Sequence, residues 1–243
     1  MKLDILAIVA HPDDVELGCA GTLMVHGAQG MKIGILDLTE GELGTRGTPE
    51  TRAAEAADAA RIMKLDVREN LGLPDGFFRN DTGEQLKVIT MIRKYRPEIV
   101  LTNAREDRHP DHGRAAELVA DSCFLSGLRK IETVLEGQQQ EAWRPKQVFH
   151  MLQNKVENPD FVVDISSVIE RKKDAIRSFK TQFLAPSADN EPATFISSPA
   201  FFENIISRDR SFGQMVGVAY AEGFTTAKML GINSFKDLIG NVT

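Results

Sequence analysis

Cysteine is scarce in this sequence, whose 243 residues include only Cys19 and Cys123. The two residues are far apart and form no Cys-x-x-Cys pair, which argues against a thiolate zinc site and against a disulfide framework. Both lie in apolar, helix-like stretches, where a cysteine is typically a small buried hydrophobic residue. A chain of this length buries enough surface to fold without disulfides. We therefore predict a reducing, cytoplasmic location.

The sequence also lacks an excess of positive charge and any long hydrophobic run. It has 29 Lys and Arg against 35 Asp and Glu, a formal net charge of −6 at pH 7, whereas a nucleic-acid binder needs a basic face. The apolar run at residues 3–10 is too short to span a membrane and lacks the cleavage pattern of a signal peptide. We therefore predict that the protein binds neither nucleic acid nor membranes.

The first half of the sequence contains a regular alternation of strand-like and helix-like segments. A β-prone run is followed by helical spacing of apolar residues up to Gly30, and the alternation recurs further along the chain. The predicted strands are residues 3–10, 32–38, 67–71 and 98–102, and the predicted helices are residues 15–30, 49–64, 84–95 and 113–126. This order is typical of a Rossmann-like α/β fold with a doubly wound, mostly parallel sheet.

The second half is less regular. It predicts strands at residues 147–153 and 161–164, helices at residues 168–180 and 201–218, and a loop with three prolines at residues 184–199. No internal repeat, low-complexity tract or clear domain boundary is visible in the sequence. We expect a single domain spanning residues 1–243, whose C-terminal part completes the sheet and covers the functional site.

Two short acidic segments that contain histidine each follow a predicted strand. His11-Pro12-Asp13-Asp14 comes directly after residues 3–10, and His109-Pro110-Asp111-His112 comes shortly after residues 98–102. Ligands of open α/β sheets bind at the carboxyl ends of strands, where neighbouring connections diverge. We therefore expect the two segments to be adjacent in space although they are far apart in sequence.

These segments offer the ligand types of a hydrolytic zinc site. Such sites take about three His or carboxylate ligands and leave a position for water, whose pKa bound zinc lowers to roughly 7. Of the consecutive carboxylates Asp13 and Asp14, one can ligate the metal while the other serves as a general base. If His112 is a ligand, His109 is free to stabilise an oxyanion or to protonate the leaving amine. Asp111 could orient one of the imidazoles.

Taken together, the two segments resemble the LmbE/PIG-L family of zinc-dependent N-acetylglucosamine deacetylases, and most of all the deacetylases of bacillithiol biosynthesis. The resemblance covers essentially the whole chain and is most specific in the N-terminal half. The further segments that carry it are Gly41-Glu42-Leu43-Gly44-Thr45-Arg46-Gly47-Thr48, Thr51-Arg52-Ala53-Ala54-Glu55, Asp107-Arg108, Gly113, Gln182-Phe183 and Tyr220-Ala221-Glu222-Gly223-Phe224.

Carried over by matching position, the resemblance implies a metal ligand set and a base. The zinc ligands would be His11, Asp14 and His112, and the general base would be Asp13. The chain departs from many family members at Val15, where they have Glu directly after the second Asp. The implied cofactor is Zn²⁺, with Fe²⁺ as the alternative metal in the cell.

The resemblance also implies roles around the substrate. His109 would stabilise the tetrahedral intermediate or act as the acid, with Asp111 as its orienter. Arg52 or Arg108 would contact the acidic part of the substrate, because a guanidinium can pair with a carboxylate through two parallel hydrogen bonds. Without a substrate role, Arg52 would be an exposed residue in the first turn of a helix, and Asp13 or Asp14 would be a helix N-cap.

The implied reaction is hydrolysis of the acetamide of an N-acetylglucosamine conjugate, which yields acetate and a free amino sugar. The expected substrate is N-acetylglucosaminyl malate, and we expect a homo-oligomeric enzyme. One alternative keeps the chemistry and changes the substrate to a chitobiose or an inositol-linked sugar. The others are a metal-free sugar- or nucleotide-binding module and a metal-dependent phosphoesterase. A phosphoesterase would prefer two metals about 4 Å apart, and the sequence offers ligands for only one.

Overall fold

A computed structural model describes residues 1–155, 158–183 and 192–238, and within these ranges it contains nine strands and eight α-helices. The strands are β1 (Ile5–Val9), β2 (Ile33–Thr39), β3 (Val67–Leu73), β4 (Ile99–Thr102), β5 (Val134–Leu135), β6 (Gln138–Gln139), β7 (Gln147–Met151), β8 (Phe161–Asp164) and β9 (Ala221–Thr226). The helices are α1 (Asp14–Gly18), α2 (Ala20–Ala28), α3 (Pro49–Met63), α4 (Thr82–Tyr95), α5 (Pro110–Leu125), α6 (Ile169–Ser178), α7 (Lys180–Phe183) and α8 (Pro199–Met215).

Seven of these strands form one mixed sheet in the order β3-β2-β1-β4-β7-β9-β8. The first five strands in this order, β3, β2, β1, β4 and β7, run parallel to one another, and β9 pairs antiparallel with both β7 and β8. The chain winds from β1 to one side through β2 and β3, and then to the other side through β4 and β7. The prediction of a Rossmann-like, doubly wound, mostly parallel sheet is confirmed. Its strand order reverses between β1 and β4, which is where such sheets bind ligands.

Alternate residues of β1 pack into two different layers, as a strand covered on both faces requires. Ile5, Ala7 and Val9 belong to a core with α2 and α6, whereas Leu6 and Ile8 belong to a core with α4 and α5. All five residues are buried. The sheet is therefore held rigidly between helices on both sides, and the carboxyl end of β1 is a fixed platform for the residues that follow.

Most predicted elements lie where the sequence placed them, but the helix predicted at residues 15–30 is divided. Cys19 separates α1 from α2 and has φ −149° and ψ 18°, which is outside the helical region. The break exposes the first amide groups of α2, and the buried Glu222 carboxylate accepts hydrogen bonds from the N–H groups of Gly21 and Thr22. A carboxylate at a helix N-terminus stabilises free N–H groups of this kind.

The C-terminal half completes the sheet through an element that the sequence pattern did not predict. Strand β9 lies between β7 and β8 and turns this edge of the sheet antiparallel. Of the loop predicted at residues 184–199, residues 184–191 lie outside the described residues, and residues 192–198 form neither helix nor strand. Across the described parts of the chain, no helix is both long and apolar enough to cross a membrane.

A fully buried ion cluster ties α6 and α8 to β9. The Lys172 ammonium lies 2.5 Å from Asp209 Oδ2 and 2.7 Å from Glu222 Oε1, and all three side chains are completely buried. Asp209 also accepts hydrogen bonds from Arg208, which donates to the carbonyl of Gln153 beside the functional site. The cluster therefore links the packing of the C-terminal elements to the position of Gln153.

Replacing Lys172 with methionine should destabilise the protein by about 3–5 kcal/mol, because two buried carboxylates lose the ammonium group that they share. Lys173→Met is the matched control, since Lys173 pairs with the exposed Glu170 and should change the free energy of unfolding by only about 0–1 kcal/mol. Urea unfolding of both variants measures the difference. Equal stabilities of the two variants would contradict the structural role of the cluster.

Candidate active site

The two acidic His segments meet at the carboxyl ends of β1 and β4, as predicted from their positions after two strands. They line one cavity of about 460 Å³. The residues of the two segments on its wall are His11, Asp13, Asp14, His109, Pro110 and His112. Pairs of the three histidine rings have centroid separations of 4.8, 5.7 and 5.3 Å. The cavity thus gathers imidazoles and carboxylates at the point where the strand order reverses.

The Asp14 carboxylate lies between two of these histidines. Its Oδ1 is 3.0 Å from His112 Nε2, and its Oδ2 is 3.6 Å from His11 Nδ1. The amide groups of Asn103 and Gln153 each donate a hydrogen bond of 3.0 Å to it. Burial raises the pKa of Asp14, but the charge of His112 and hydrogen bonds from both histidines outweigh burial and hold the pKa well below its usual value. Asp14 is therefore an anion fixed in place.

The far side of the His11 ring is held by two further carboxylates. His11 Nε2 lies 2.9 Å from Asp75 Oδ1 and 3.3 Å from Asp111 Oδ2. Burial lowers the pKa of His11, yet hydrogen bonds to Asp111, Asp14 and Asp75 raise it well above the usual value. Because two carboxylates face Nε2, that nitrogen keeps its proton when the ring is neutral, and Nδ1 is then the atom with a lone pair directed toward Asp14.

His112 also lies between Asp14 and another carboxylate, but its two ring nitrogens have the opposite roles to those of His11. Its Nδ1 lies 3.2 Å from Asp107 Oδ1, whereas its Nε2 faces Asp14. Burial lowers the pKa of His112, but Asp14 and Asp107 together raise it to about 9. A carboxylate behind each imidazole is the usual outer arrangement of histidines that ligate a metal.

The donor set fits a metal cation. His11, Asp14 and His112 present two imidazole nitrogens and a carboxylate oxygen, which is a frequent ligand set of catalytic zinc. Among the described residues, the groups of three whose ligating atoms all lie within 4.8 Å of one another are His11, His109 and His112, and His11, Asp75 and Asp111. The geometry therefore offers His109 as a competitor of Asp14 for the third position.

Asp13 has an unusual backbone conformation, with φ 126° and ψ −22°. A non-glycine residue in this region is strained by about 1–3 kcal/mol, and such strain concentrates at functional sites. Asp13 precedes α1, but its side chain makes no N-capping hydrogen bond. Instead, Asp13 Oδ2 accepts a hydrogen bond of 3.0 Å from Arg52. Burial raises the pKa of Asp13 to about 7, although the Arg52 charge opposes this rise.

Arg52 is buried rather than exposed, and its guanidinium is bound to the protein itself. Besides Asp13, it donates to the carbonyl oxygens of Pro12 (2.5 Å) and Gly41 (3.3 Å). Gly41 has φ +68°, and a Cβ at that position would collide with Arg52 Nη1. Residue 41 therefore has no room for a side chain, because the Arg52 guanidinium lies directly against it. Arg52 fixes the position of Asp13 and also lines the cavity, with its Nη1 and Nη2 groups hydrogen-bonded to the protein.

His109 is half-buried at the cavity wall and is the N-cap of α5. Its Nδ1 accepts a hydrogen bond of 3.3 Å from the backbone N–H of Asp111. Burial, together with the charges of His11 and His112, lowers the pKa of His109. The ring is therefore neutral near pH 7 and carries its proton on Nε2, where it can be donated to a developing negative charge.

The Asp111 carboxylate makes its hydrogen bonds with groups other than the His109 ring, whereas the resemblance implied that it orients His109. It lies 3.3 Å from His11 Nε2 and accepts hydrogen bonds from Arg114 (2.5 Å) and from the backbone N–H of Gly76 (2.8 Å). The difference arises because Asp111 is in the first turn of α5, where its backbone, not its side chain, reaches the His109 ring. Asp111 therefore positions His11.

Comparisons with known proteins identify the family of this chain. The family model for PIG-L, GlcNAc-PI de-N-acetylase, matches residues 6–123. The conserved protein TT1542 from Thermus thermophilus has a solved structure that is 39% identical in sequence, covers 95% of this chain and 98% of its own, and superposes with a TM-score of 0.83. The chain belongs to the PIG-L/LmbE deacetylase family.

Relatives in this family differ in what they act on. The diacetylchitobiose deacetylase of Thermococcus kodakarensis is 28% identical in an alignment of 238 residues that covers 90% of this chain and 81% of that protein. The probable N-acetyl-alpha-D-glucosaminyl L-malate deacetylase 2 of Bacillus subtilis is 27% identical in an alignment of 199 residues that covers 75% of this chain and 84% of that protein. The 4-oxalmesaconate hydratase of Pseudomonas putida is 26% identical in an alignment of 192 residues that covers 73% of this chain and 73% of that protein. Because a hydratase is among them, the reaction must be argued from the site.

Arg108, the second arginine expected to meet a substrate in this PIG-L/LmbE chain, is placed differently from Arg52. It is exposed at the edge of the cavity, and its guanidinium lies 4.6 Å from the centre of the Phe195 ring. An arginine stacked on an aromatic ring keeps its N–H groups directed outward, where they can pair with a carboxylate. Of the two arginines, Arg108 is the one whose position suits an anionic substrate group.

Four residues of the site were given no role by the sequence analysis, which considered the two His segments, Arg52 and Arg108. They are Asp75, Asn103, Asp107 and Gln153. Asn103 and Gln153 follow the carboxyl ends of β4 and β7, and Asp75 follows β3, so polar residues just after each predicted strand were the available signal. Glu16, which follows the departure at Val15, is not among the residues that line the cavity and binds Arg68 at 2.7 Å.

Proposed function

We propose that the protein is a zinc-dependent hydrolase that removes the acetyl group from an N-acetylglucosamine conjugate, and that the conjugate is N-acetylglucosaminyl malate. The observation that carries the proposal is the pairing of two functions in one cavity. His11, Asp14 and His112 supply a metal ligand set, and the strained Asp13 carboxyl lines the same wall. Amide hydrolysis needs both an electrophile for the carbonyl and a base for the attacking water.

A zinc ion held by His11, Asp14 and His112 would polarise the acetyl carbonyl and acidify the attacking water. Asp13 would remove the proton from that water as its oxygen forms the bond to the carbonyl carbon. Burial raises the pKa of the Asp13 carboxyl, which favours uptake of this proton. Arg52 holds the Asp13 carboxyl in one orientation, so the base is already in place before the substrate binds.

The second half of the reaction requires a hydrogen-bond donor and a proton for the leaving group. The Nε2–H of neutral His109 would donate to the oxyanion of the tetrahedral intermediate. As the C–N bond breaks, the amine nitrogen takes up from Asp13 the proton that Asp13 removed from water, while neutral His109 contributes a hydrogen bond and keeps its ring proton. The products are acetate and the free amino sugar, and the proton taken from water balances the one received by the amine.

The choice of a malate conjugate rests on the cavity edge and on one relative. Arg108 offers an exposed cation beside the cavity, and the Bacillus subtilis relative is described by its name as a malate-conjugate deacetylase. A free malate group carries carboxylates that an arginine can bind through two hydrogen bonds. The diacetylchitobiose deacetylase is similar to this chain to the same degree, so the substrate has to be tested directly.

A panel of purified conjugates tests the proposal. Acetate release is measured for N-acetylglucosaminyl malate, diacetylchitobiose, an inositol-linked N-acetylglucosamine and free N-acetylglucosamine. We expect the highest kcat/KM for the malate conjugate. A higher kcat/KM for chitobiose or for the inositol conjugate would reject malate but keep the deacetylase. No acetate from any member would reject the deacetylase itself.

Replacing Arg108 with glutamine should lower kcat/KM for the malate conjugate by about 10–100-fold, because a hydrogen bond to a charged group contributes roughly 1.5–3 kcal/mol. The effect should fall mainly on KM and should be small for diacetylchitobiose, which has no carboxylate. Arg105→Gln is the control, since Arg105 is exposed three residues away and is not among the residues that line the cavity. Equal losses for the charged and neutral substrates would refute an anion-binding role.

A further inference from the structure

A second cavity adjoins the one that holds the histidines. Its volume is about 730 Å³, compared with about 460 Å³ for the first. Five residues line both cavities, so the two share a wall. These residues are Arg108, Gln153, Asn154, Phe195 and Phe201. A ligand that enters the first cavity therefore has adjoining space into which a substituent can extend.

The far wall of the second cavity is one face of α8. Asn204, Ser207 and Ser211 are exposed there, and the buried Ile205 and Phe212 lie on the same wall. Amide and hydroxyl groups above an apolar floor suit a ligand that has many oxygen atoms and apolar C–H faces. A purely apolar chain would leave these polar groups without partners.

An aromatic ring stands at the boundary between the cavities. Phe195 is 61% exposed although it is large and apolar, and its ring also contacts Phe201 at a centroid distance of 5.5 Å. The Arg108 guanidinium lies on the same ring. An exposed ring beside a cavity provides a flat surface against which a sugar or cyclitol can pack its C–H groups.

The charged residues on the wall of this cavity are Asp107, Arg108, Lys155 and Arg208. Asp107 accepts hydrogen bonds from Asn154, Lys155 pairs with Glu106, and Arg208 binds backbone carbonyls and Asp209. Among the described residues on this wall, three are basic and one is acidic, and Lys155 and Arg208 are each paired with a carboxylate. Arg108, stacked on Phe195, is the cation at the boundary that an anionic ligand can approach.

We propose that this second cavity is the subsite for the aglycone of the N-acetylglucosamine conjugate, and that it takes a group rich in hydroxyl or carboxylate oxygens. The N-acetylated ring lies in the first cavity, and the aglycone passes Phe195 to reach the exposed face of α8. This inference rests on the proposed function. A second sugar ring, a cyclitol and a hydroxy acid share the required chemistry.

The test compares two neighbouring substitutions on α8. Asn204→Trp fills the second cavity, and Glu203→Trp places the same side chain at an exposed position that does not line it. We expect Asn204→Trp to lower kcat/KM for the conjugates by about tenfold or more, because overfilling a site excludes its ligand. Acetate release from free N-acetylglucosamine should fall much less. Glu203→Trp should resemble the wild type with every substrate.

The result that overturns the inference is a loss in Asn204→Trp that is equal for the conjugates and for free N-acetylglucosamine, or no loss at all. If Asn204→Trp fails to fold, Asn204→Met introduces a smaller side chain, and the same ordering of substrates is expected. Comparing the malate, inositol and chitobiose conjugates tells which aglycone depends most on Asn204. Failure of the proposed function has a different signature, since the wild type would then release no acetate from any of these sugars.

Discussion

Replacing Asp13 with glycine should give a protein that is more stable than the alanine variant and equally inactive. At φ 126°, alanine keeps the backbone strain while losing the carboxyl, whereas glycine loses both. The glycine variant should therefore be more stable than the alanine variant by about 1–3 kcal/mol. Both should lose about 10²–10⁴-fold in kcat, which is the usual contribution of a general base. Urea unfolding and acetate release measure the two effects.

The comparison between glycine and alanine isolates the strain, because both variants leave Arg52 without its carboxylate partner. Asp13→Asn is a further control that retains a hydrogen-bond acceptor for Arg52 but cannot take up a proton. It should be as inactive as the other two variants. An active asparagine variant would show that the residue positions Arg52 and is not a base. Equal stability of the glycine and alanine variants would show that the backbone at residue 13 relaxes.

Removing His112 should abolish metal binding, whereas removing His109 should leave the metal in place. His112 Nε2 is 3.0 Å from Asp14 and is backed by Asp107 on its other nitrogen. His109 accepts from a backbone amide, and its free nitrogen faces the cavity. We expect zinc affinity to fall by more than about 100-fold in His112→Ala, since even outer-shell changes lower it by about 10–100-fold. Zinc content and equilibrium binding with a competing chelator measure it.

The same measurement distinguishes the two possible ligand sets. His109→Ala should retain nearly the full zinc content while losing most acetate release, which separates a catalytic role from a ligand role. If zinc is lost from His109→Ala and kept in Asp14→Ala, the ligands are His11, His109 and His112, which also lie within ligating distance of one another. That outcome would contradict the assignment of Asp14 to the metal.

The parts that sequence could predict are those in which neighbouring residues determine the outcome. The β1 and β4 strands are short runs of apolar residues, and their sheet positions follow from the alternation of strands and helices. Since His11 follows β1 by two residues and His109 follows β4 by seven, the strand ends bring the two segments together. The two segments meet between β1 and β4, which is where the strand order reverses.

The parts that sequence could not predict depend on contacts across the fold. The direction of the Arg52 guanidinium follows from the closeness of Gly41 and Asp13, and nothing in the local pattern shows it. The division of the predicted helix at Cys19 depends on Glu222, which lies about two hundred residues further along the chain. Which histidine the Asp111 carboxylate contacts depends on the orientation of the first turn of α5, and the sequence does not show that orientation.

The most direct test of the account is the acetate and free amine released from N-acetylglucosaminyl malate by protein of known zinc content. We predict equal amounts of the two products, loss of release when a chelator removes the zinc, and recovery when zinc is returned. Release that persists at negligible zinc content would contradict the metal site that we propose at His11, Asp14 and His112. The absence of acetate from zinc-loaded protein would contradict the deacetylase itself.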